Sequence, residues 1–295
     1  MKRAFYKNSD LLFNIIIYTI LTMVLITILY PLYFVVIASI SDPNLVNTGK
    51  VLFIPKGLTL EGYKNVFAYS QVWSGYRNTI LYTLCGTFLN VIVTIMFAYA
   101  LSRKIFSGRK VLMIYLLITM YFNGGLIPTY LVVQSLGLYD TPLVIILIGL
   151  VTGTNVVIAK TYLQDNIPDG IYESAVMDGC NHFLFVWKMV FPLSKALIAV
   201  LALYYGIVHW NDFFNALIYL DNSDLMPLQI VLRSILLQNQ ATADVAGLDD
   251  AYQKQQTMEL MKYSLIIVAT IPMLIAYPFF QRYFVQGVTV GAVKG

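Results

Sequence analysis

The sequence predicts an all-α polytopic membrane protein with six transmembrane helices. Of its 295 residues, 59% are hydrophobic and 12% are charged, which is about half the charged fraction of a typical soluble domain. Several uncharged stretches are long enough to cross a bilayer, which takes about 20 apolar residues in a helix. These stretches are continuous apolar runs without the alternating pattern of barrel strands, so helices are the expected spanning form.

Six hydrophobic segments follow one another through a single domain of residues 1–295. The first has no charge from Leu11 to Ile40. It is far longer than the ~7–15-residue core of a cleaved signal peptide, which predicts an uncleaved span. The predicted spans are residues 11–40, 79–101, 111–134, 142–162, 192–210 and 260–280, and the two longer polar loops are residues 41–78 and 211–259.

The basic residues predict which loops lie in the cytoplasm. The loop from Ser102 to Lys110 contains four basic residues and no acid, and short loops rich in lysine and arginine stay on the cytoplasmic side. This orientation puts both termini and residues 164–191 inside, and loops 41–78 and 211–259 outside. The net charge is then +7 inside and −3 outside, which agrees with the +4 of the whole chain.

The polar insert of residues 164–196 predicts a short helix that stands out of the membrane. Pro168 suits the first helical position, and Asp169 and Glu173 suit the positive N-terminal end of a helix. Gly179 is a C-terminal stop signal. A polar helix of this kind between two apolar segments indicates a contact with another protein.

Two small residues of this helix point to docking. Ser174 and Ala175 give it a low-profile face that another protein can approach closely. Beyond Gly179, a more apolar run from Phe183 to Phe191 leads to Pro192, which is expected to open the next span. The alternative interpretation is an ordinary amphipathic surface loop between two spans.

The insert resembles the cytoplasmic coupling loop, or EAA loop, of permease subunits in binding-protein-dependent ABC importers. The family pattern is Glu-Ala-Ala, two residues, Asp-Gly-Ala, and later a Leu-Pro pair. Glu173, Ala175, Asp178 and Gly179 match in place, and Pro192 stands nineteen positions after Glu173, as the pattern requires. Several matches at fixed spacing argue against the ordinary-loop interpretation. The departures, such as serine at position 174, are small or apolar.

Other stretches extend the resemblance over nearly the whole chain. Residues 210–213 match a Trp-Asn-Glu/Asp-Phe pattern of carbohydrate permeases, and residues 53–67 and 121–141 are similar to oligosaccharide-importer permeases. The glycine-rich C-terminus, with Gly291 and Lys294, resembles the tail of maltose-type permeases that reaches toward the ATPase dimer. The resemblance is nearest to the LplC/YtcP-type subgroup, which is tied to oligosaccharide uptake.

The resemblance implies a type I ABC importer permease fold with a cytoplasmic coupling helix, located in the lipid of the bacterial cell membrane. It implies a second permease subunit, two ATPase subunits that bind ATP and Mg, and an extracytoplasmic binding protein that delivers a sugar or oligosaccharide. No cofactor is expected in this chain itself. The residues that the resemblance assigns to ATPase coupling are Glu173, Ser174, Ala175, Asp178, Gly179 and Pro192.

No catalytic or metal-binding motif is present in the sequence, so no enzyme activity is expected of this chain. A Walker A loop is missing, because Gly49-Lys50 has Asn44 where the first glycine belongs. Neither His182 nor His209 has a carboxylate or cysteine at metal-ligand spacing. The net charge of +4 reports membrane topology and does not indicate nucleic-acid binding.

An ion-coupled secondary transporter of a small polar solute is the alternative function. Proton and sodium symporters usually hold carboxylates or histidines within the membrane, whereas the six predicted spans are almost free of ionisable groups. Backbone carbonyls can also hold sodium, so the alternative stays open at this point.

Uncharged polar and aromatic side chains within the spans are the candidates for a sugar pathway, because sugar hydroxyls need hydrogen-bond partners and sugar rings stack on aromatic faces. Helix packing and placement at the membrane interface are the other roles open to them. The candidates are Tyr121, Asn123, Asn155, Tyr204, Tyr205, His209 and Trp210.

Overall fold

The computed structural model describes residues 2–241, 258, 261–279 and 281 of the chain. These residues form helices and connecting loops, without a strand among them, so the all-α prediction is confirmed. The helices are α1 (Lys2–Ser39), α2 (Pro43–Asn47), α3 (Glu61–Ala68), α4 (Ser70–Ser102), α5 (Arg109–Tyr121), α6 (Leu126–Ser135), α7 (Pro142–Leu147), α8 (Gly153–Asn166), α9 (Asp169–Met177), α10 (His182–Leu193), α11 (Lys195–Trp210), α12 (Phe214–Tyr219), α13 (Leu228–Ala241) and α14 (Met261–Phe279).

Three helices in the described ranges are long and apolar enough to cross a membrane: Leu11–Ser39 within α1, α4 and α14. Two further candidates are bent pairs, α5 with α6 at 119° and α10 with α11 at 85°. By length and composition, this part of the chain therefore offers three spans, or up to five if each bent pair is one span. The count of six spans stays a prediction.

The second span is longer than the hydropathy pattern suggests, because α4 begins at Ser70 and not near residue 79. Its N-terminal part carries polar side chains that bind the segment before α13 and the first residue of α13. Asn78 Nδ2 donates to the carbonyl oxygen of Asp224 at 2.7 Å, and Thr79 Oγ1 accepts the N–H of Leu228 at 2.9 Å. Because these polar side chains have hydrogen-bond partners, the helix can begin at Ser70, before the apolar residues from which its start near residue 79 is predicted.

The predicted third segment, residues 111–134, is two helices and not one. α5 ends at Tyr121 and α6 begins at Leu126. Between them, Gly125 adopts a φ of +92°, which favours glycine, and its N–H donates to Asn123 Oδ1 at 3.0 Å. This local turn produces the 119° bend between the two helices.

The predicted fourth segment, residues 142–162, is also divided, because α7 ends at Leu147 and α8 begins at Gly153. Gly149, in the break, has a φ of +71°. At Gly153 an added Cβ would lie 2.3 Å from Met120 Cγ, so the absence of a side chain lets α8 start directly against α5. The break places non-helical backbone in the middle of an apolar segment.

Contacts divide the chain into two compact units, residues 1–69 with 232–270, and residues 70–231 with 271–295. In the first unit the end of α1 packs on α2, and Asp42 caps α2 by accepting the N–H of Asn44 at 2.8 Å. The buried residues of this unit's core are Ile37, Ala38, Val46 and Val51.

In the second unit, α4 is the central helix and packs against α8 and α11. The residues at these contacts include the fully buried Ile95, Leu101, Leu163 and Leu201. Because lipid is as apolar as leucine, close packing of side chains, more than the hydrophobic effect, holds such helices together in a membrane.

The loop between α6 and α7 binds the segment that follows α12. Asp140 Oδ1 accepts the N–H groups of Asp221 at 2.9 Å and of Asn222 at 2.8 Å, while its own N–H donates to the Tyr219 carbonyl at 2.9 Å. The residue adopts a φ of +54°, which aspartate tolerates better than most residues. The two N–H groups favour the charged carboxylate and hold the pKa of Asp140 below its ordinary value.

Candidate coupling site and polar cavity

The short helix predicted within the polar insert is present as α9, and a Schellman motif closes its C-terminal end. The N–H of Cys180 donates to the carbonyl of Ala175 and the N–H of Gly179 donates to that of Val176, each at 2.9 Å. Gly179 has a φ of +77°, a conformation that costs residues with a Cβ about 1–2 kcal/mol. The glycine therefore ends the helix, as the sequence indicates.

Arg103, directly after α4, holds the N-terminal end of α9. Its Nη1 pairs with Asp169 Oδ1 at 3.1 Å, its Nη2 donates to the Ile167 carbonyl at 3.1 Å, and its guanidinium lies 5.1 Å from the Tyr99 ring centroid. The Arg103 side chain is 5% exposed, and a buried charge needs such partners. Pro168 is the N-cap, one position before the expected one, because α9 begins at Asp169.

His182 joins α9 to α4 through two tyrosines. Its Nε2 lies 2.9 Å from the Tyr172 hydroxyl and its Nδ1 lies 2.9 Å from the Tyr99 hydroxyl. A neutral imidazole has one N–H and one lone pair, so one hydroxyl donates to the ring and the other accepts from it. Below them, Phe185 is fully buried and packs edge-on against Tyr172. These contacts make α9, α10 and the end of α4 one packed unit.

The exposed face of α9 differs from the expected one. Ala175 is 7% exposed and packs into the core of its own chain, so the prediction that it shares an exposed face with Ser174 is wrong. Glu173 and Met177 lie one helical turn apart and both are exposed, Met177 by 88%. We call Glu173, Ser174, Met177 and Asp178, which are all exposed, the docking face.

The joint to the following span lies at Ser194, whereas Pro192 was expected to open that span. Pro192 is in the last turn of α10, and α11 begins at Lys195. Shortly before Pro192, the residues Val186–Val190 form a π-helical turn, in which the N–H of Phe191 donates to the Val186 carbonyl. Proline has no N–H with which to continue the regular helical pattern, so the helix ends within a turn. Ser194 is fully buried at the bend.

A polar cavity of about 630 Å³ brings together four of the seven predicted pathway residues: Asn155, Tyr204, Tyr205 and His209. It lies at the break between α7 and α8, beside α4 and α11. Non-helical backbone at membrane depth is tolerated where it lines such a cavity. The full lining is Asn90, Ile148, Gly149, Thr152, Thr154, Asn155, Ile158, Tyr204, Tyr205, Val208, His209, Asp212 and Asn215.

Hydrogen bonds fix two of these side chains. The Tyr205 hydroxyl lies 2.7 Å from Thr94 Oγ1 and accepts the Thr152 N–H at 3.4 Å. Asn90 Nδ2 lies 3.2 Å from His209 Nε2, while Asn90 Oδ1 has no partner among the described residues. Tyr205 and His209, which are 2% and 5% exposed, are therefore held in place by the walls of the cavity.

Gly86 lets the His209 ring approach α4. A Cβ added at Gly86 would lie 2.4 Å from His209 Nε2 and 2.6 Å from Cε1, which is closer than real Cβ contacts come. The position of His209 against Asn90 thus depends on a residue with no side chain. No local pattern in the sequence indicates this pairing, since the two residues lie on different helices.

The remaining predicted residues lie outside the cavity. Tyr121 is 80% exposed, Asn123 is exposed in the break after α5, and Trp210 is buried with its ring 6.3 Å from that of Tyr76. Gly291 and Lys294, predicted to reach the ATPase, lie outside the described residues. Within the described ranges, no group of three or more His, Cys, Asp or Glu side chains lies close enough to hold a metal ion.

Most of the chain, including the exposed helix α9 and the residues that line the cavity, falls within the match to one family model. The model of this family, described as binding-protein-dependent transport system inner membrane component, matches residues 72–290. The chain belongs to this family. It is a multi-pass membrane permease subunit of an ABC transporter, a transport component and not itself a catalytic subunit.

Two proteins of Bacillus subtilis (strain 168) resemble this permease over nearly its whole length. The polygalacturonan/rhamnogalacturonan transport system permease protein YtcP is 35% identical over 285 residues, covering 96% of this chain and 99% of YtcP. Protein LplC is 38% identical over 271 residues, covering 92% of this chain and 90% of LplC. These similarities confirm the LplC/YtcP-type resemblance.

A solved structure confirms the type I ABC importer permease fold. It is the crystal structure of a bacterial ABC transporter involved in the import of the acidic polysaccharide alginate. One of its chains superposes with a TM-score of 0.84 at 31% identity, covering 94% of this permease and 98% of that chain. The alternative of an ion-coupled secondary transporter finds no support in any of these similarities.

Local sequence patterns do not indicate several of the residues around α9. The basic loop that contains Arg103 indicates topology, and His182 has no metal ligand at suitable spacing. No pattern singles out Tyr172 or Met177. Arg103 is 66 residues from Asp169 and Tyr99 is 83 residues from His182, so no local spacing could have paired them.

Proposed function

We propose that this permease is one half of the translocation pathway of an ATP-driven importer that takes up a sugar or oligosaccharide. A second permease subunit completes the pathway, and an extracytoplasmic binding protein delivers the sugar. Two ATPase subunits hold ATP and Mg on the cytoplasmic face. The names of YtcP and of the alginate importer, which both refer to polysaccharide transport, support the sugar substrate.

The orientation in the bacterial cell membrane places both termini and α9 in the cytoplasm. The loop of residues 102–110, with its four basic residues and no acid, supports this orientation. The tail with Gly291 and Lys294 then lies on the same side as the ATPase subunits, consistent with the role that its resemblance to maltose-type permeases assigns to it.

The observation that carries the coupling role is that α9 is exposed on one face and fixed on the other. Glu173, Ser174, Met177 and Asp178 are available to a partner, while Ala175 seats the helix and Gly179 ends it. In the proposed mechanism the docking face binds a groove of the ATPase, and closure of the ATPase dimer on ATP moves α9.

Two sets of contacts on the fixed side of α9 can transmit its movement to the membrane helices. One route runs through Asp169 and Arg103 to α4, which is 33 residues long. The other runs through His182 and α10, past Pro192, to the joint at Ser194 and α11. Because α4 and α11 also hold the two sides of the polar cavity, a movement of α9 alters the space between them.

Copurification tests this function. The chain is expressed with its genomic neighbours, purified in detergent, and assayed for bound ATPase subunits. Glu173→Lys should release the ATPase subunits, because it reverses the charge at the centre of the docking face. Glu61→Lys is the matched control, since Glu61 is also an exposed helical glutamate but lies in the predicted outer loop.

A wild-type chain that purifies without ATPase subunits, and that moves solute into liposomes without ATP, would contradict the importer function. ATPase subunits that stay bound to the Glu173→Lys chain would contradict the docking face alone.

A further inference from the structure

The polar groups that line the cavity are mostly uncharged. Among the described residues, its lining contains amide, hydroxyl and imidazole groups but no lysine or arginine, and Asp212 is its one carboxylate. Asp212 already accepts hydrogen bonds from Asn215, from the backbone N–H at 3.1 Å and from Nδ2 at 2.8 Å. In the described part of the chain, the wall therefore offers uncharged hydrogen-bonding groups and one negative charge, and no lysine or arginine side chain that would pair with an anion.

The wall also contains a polar atom that lacks a partner within the described chain. Asn90 is 1% exposed, and its amide bonds His209 through one of its two polar atoms only. In this orientation the nitrogen contacts the His209 ring and the oxygen is the unpaired atom. Buried amide groups are nearly always hydrogen-bonded, and a residue that lines a cavity can complete its hydrogen bonds with a molecule bound there.

The start of α8 faces the same space. Thr152, the N-cap of α8, lines the cavity together with Thr154 and Asn155 of the first turn, where backbone N–H groups have no partner within the helix. Asn155 is 9% exposed. Tyr204, from α11, is 44% exposed and adds a ring with a polar end to the lining. Donors, acceptors and an aromatic surface thus converge on one volume.

We propose that this cavity is a saccharide-binding subsite that takes an uncharged, hydroxyl-bearing sugar unit, so that this permease contacts the transported substrate directly. The inference rests on the proposed function and names the substrate class of that pathway. Its volume of about 630 Å³ lies within the roughly 300–1,000 Å³ of sites that bury small ligands. Sugar hydroxyls both donate and accept, so they can pair with the Asn90 amide in either orientation.

The same lining argues against a uronate unit in this subsite. A carboxylate buried beside Asp212 without a cation would meet a like charge and lose its hydration. The acidic groups of a polymer such as polygalacturonan or alginate would therefore have to contact other parts of the importer. This subunit then recognises hydroxyls and ring faces.

The test uses the complete importer, with its binding protein, reconstituted in proteoliposomes. One panel of probes holds neutral oligosaccharides from galactan, arabinan and starch, and the other holds oligogalacturonates and alginate oligosaccharides. Stimulated ATP hydrolysis and uptake give KM and kcat for each stimulating sugar. Asn90→Leu and Thr154→Val each remove polar atoms from the wall at nearly constant size. Thr154 is exposed, so its variant keeps the test valid where Asn90→Leu fails to fold.

We expect a neutral or mixed oligosaccharide to stimulate the importer. Each variant should raise its KM by about 3- to 10-fold, the effect of a lost uncharged hydrogen bond, with kcat changed less than twofold. Thr27→Val, which removes the hydroxyl of an exposed threonine in α1 outside the cavity lining, should leave KM unchanged. Unchanged KM in both cavity variants, or stimulation by pure uronate oligosaccharides alone, would overturn the subsite. A wild-type importer that no saccharide stimulates would instead overturn the proposed function, and the subsite with it.

Discussion

The guanidinium of Arg103 and the carboxylate of Asp169 lie 3.1 Å apart and fix the start of α9 to the end of α4. The pair is asymmetric, because the Arg103 side chain is 5% exposed and that of Asp169 is 45% exposed. Arg103 Nη2 also satisfies the Ile167 carbonyl. The energetic consequence of breaking the pair should therefore depend on which member is removed.

Asp169→Asn should destabilise the folded permease by about 1–3 kcal/mol, because it leaves a buried guanidinium with reduced compensation. Arg103→Met should destabilise the folded permease less than Asp169→Asn does, since water can solvate the half-exposed Asp169 carboxylate that remains. The double variant should cost less than the sum of the two single ones. Thermal unfolding in detergent measures all three.

Lys104→Ala provides the control for this prediction. Its Nζ lies 3.9 Å from Asp169 Oδ2 and its side chain is 84% exposed, so the loss of this surface pair should have almost no effect. Strict additivity of the Arg103 and Asp169 changes would show that the two side chains do not interact.

Gly179→Ala and Gly170→Ala should have opposite effects on the stability of α9, although a Cβ meets no atom within 4 Å at either site. At Gly179 the φ of +77° costs an alanine about 1 kcal/mol or more. At Gly170, inside the helix, alanine should be neutral or stabilising by up to about 1 kcal/mol. Hydrogen exchange of the peptide that contains α9 should show less protection in Gly179→Ala than in Gly170→Ala. Equal protection in both variants would show that the positive φ at Gly179 does not penalise an alanine.

Gly86→Ala should displace His209 and break its contact with Asn90, because the added Cβ would lie 2.4 Å from Nε2. Overpacking of this kind costs about 1–3 kcal/mol. Gly206→Ala is the matched control, since its Cβ would meet Thr87 Oγ1 at an ordinary 3.7 Å. The double variant Gly86→Ala/His209→Ala should recover most of the stability that Gly86→Ala loses, because the ring that the added Cβ meets is gone. Melting temperatures in detergent measure this. A double variant that melts no higher than Gly86→Ala would show that the loss does not come from the contact with His209.

The contact of Asp140 with Asp221 and Asn222 should be acid-labile. The pKa of Asp140 is lowered in the folded chain, so the stabilisation is fully present above the ordinary aspartate pKa of about 4. It is lost as the pH falls through the lowered value. Amide exchange at residues 221 and 222, corrected for intrinsic rates, should lose protection in that window. Asp140→Asn should remove the pH dependence, and protection that persists in the native chain at pH 2 would contradict the prediction.

The sequence by itself determined the class of the protein and the position of the short polar helix α9. Low charge and long apolar runs leave only a helical membrane protein, because unpaired backbone groups cannot be left in lipid. The helix Asp169–Met177 and its stop at Gly179 follow from local signals, since capping and chain reversal depend on neighbouring residues. The resemblance to ABC importer permeases rests on the same local spacing.

Only the tertiary structure decided which face of α9 is exposed and which polar residues meet. Ala175 turns inward because α9 packs on Phe185 and Tyr99, and that packing joins residues far apart in sequence. The cavity of Asn90, Asn155 and His209 arises where α4, the break after α7 and α11 converge. Side chains on separate helices meet through the packing of those helices, and hydropathy along the chain does not specify that packing.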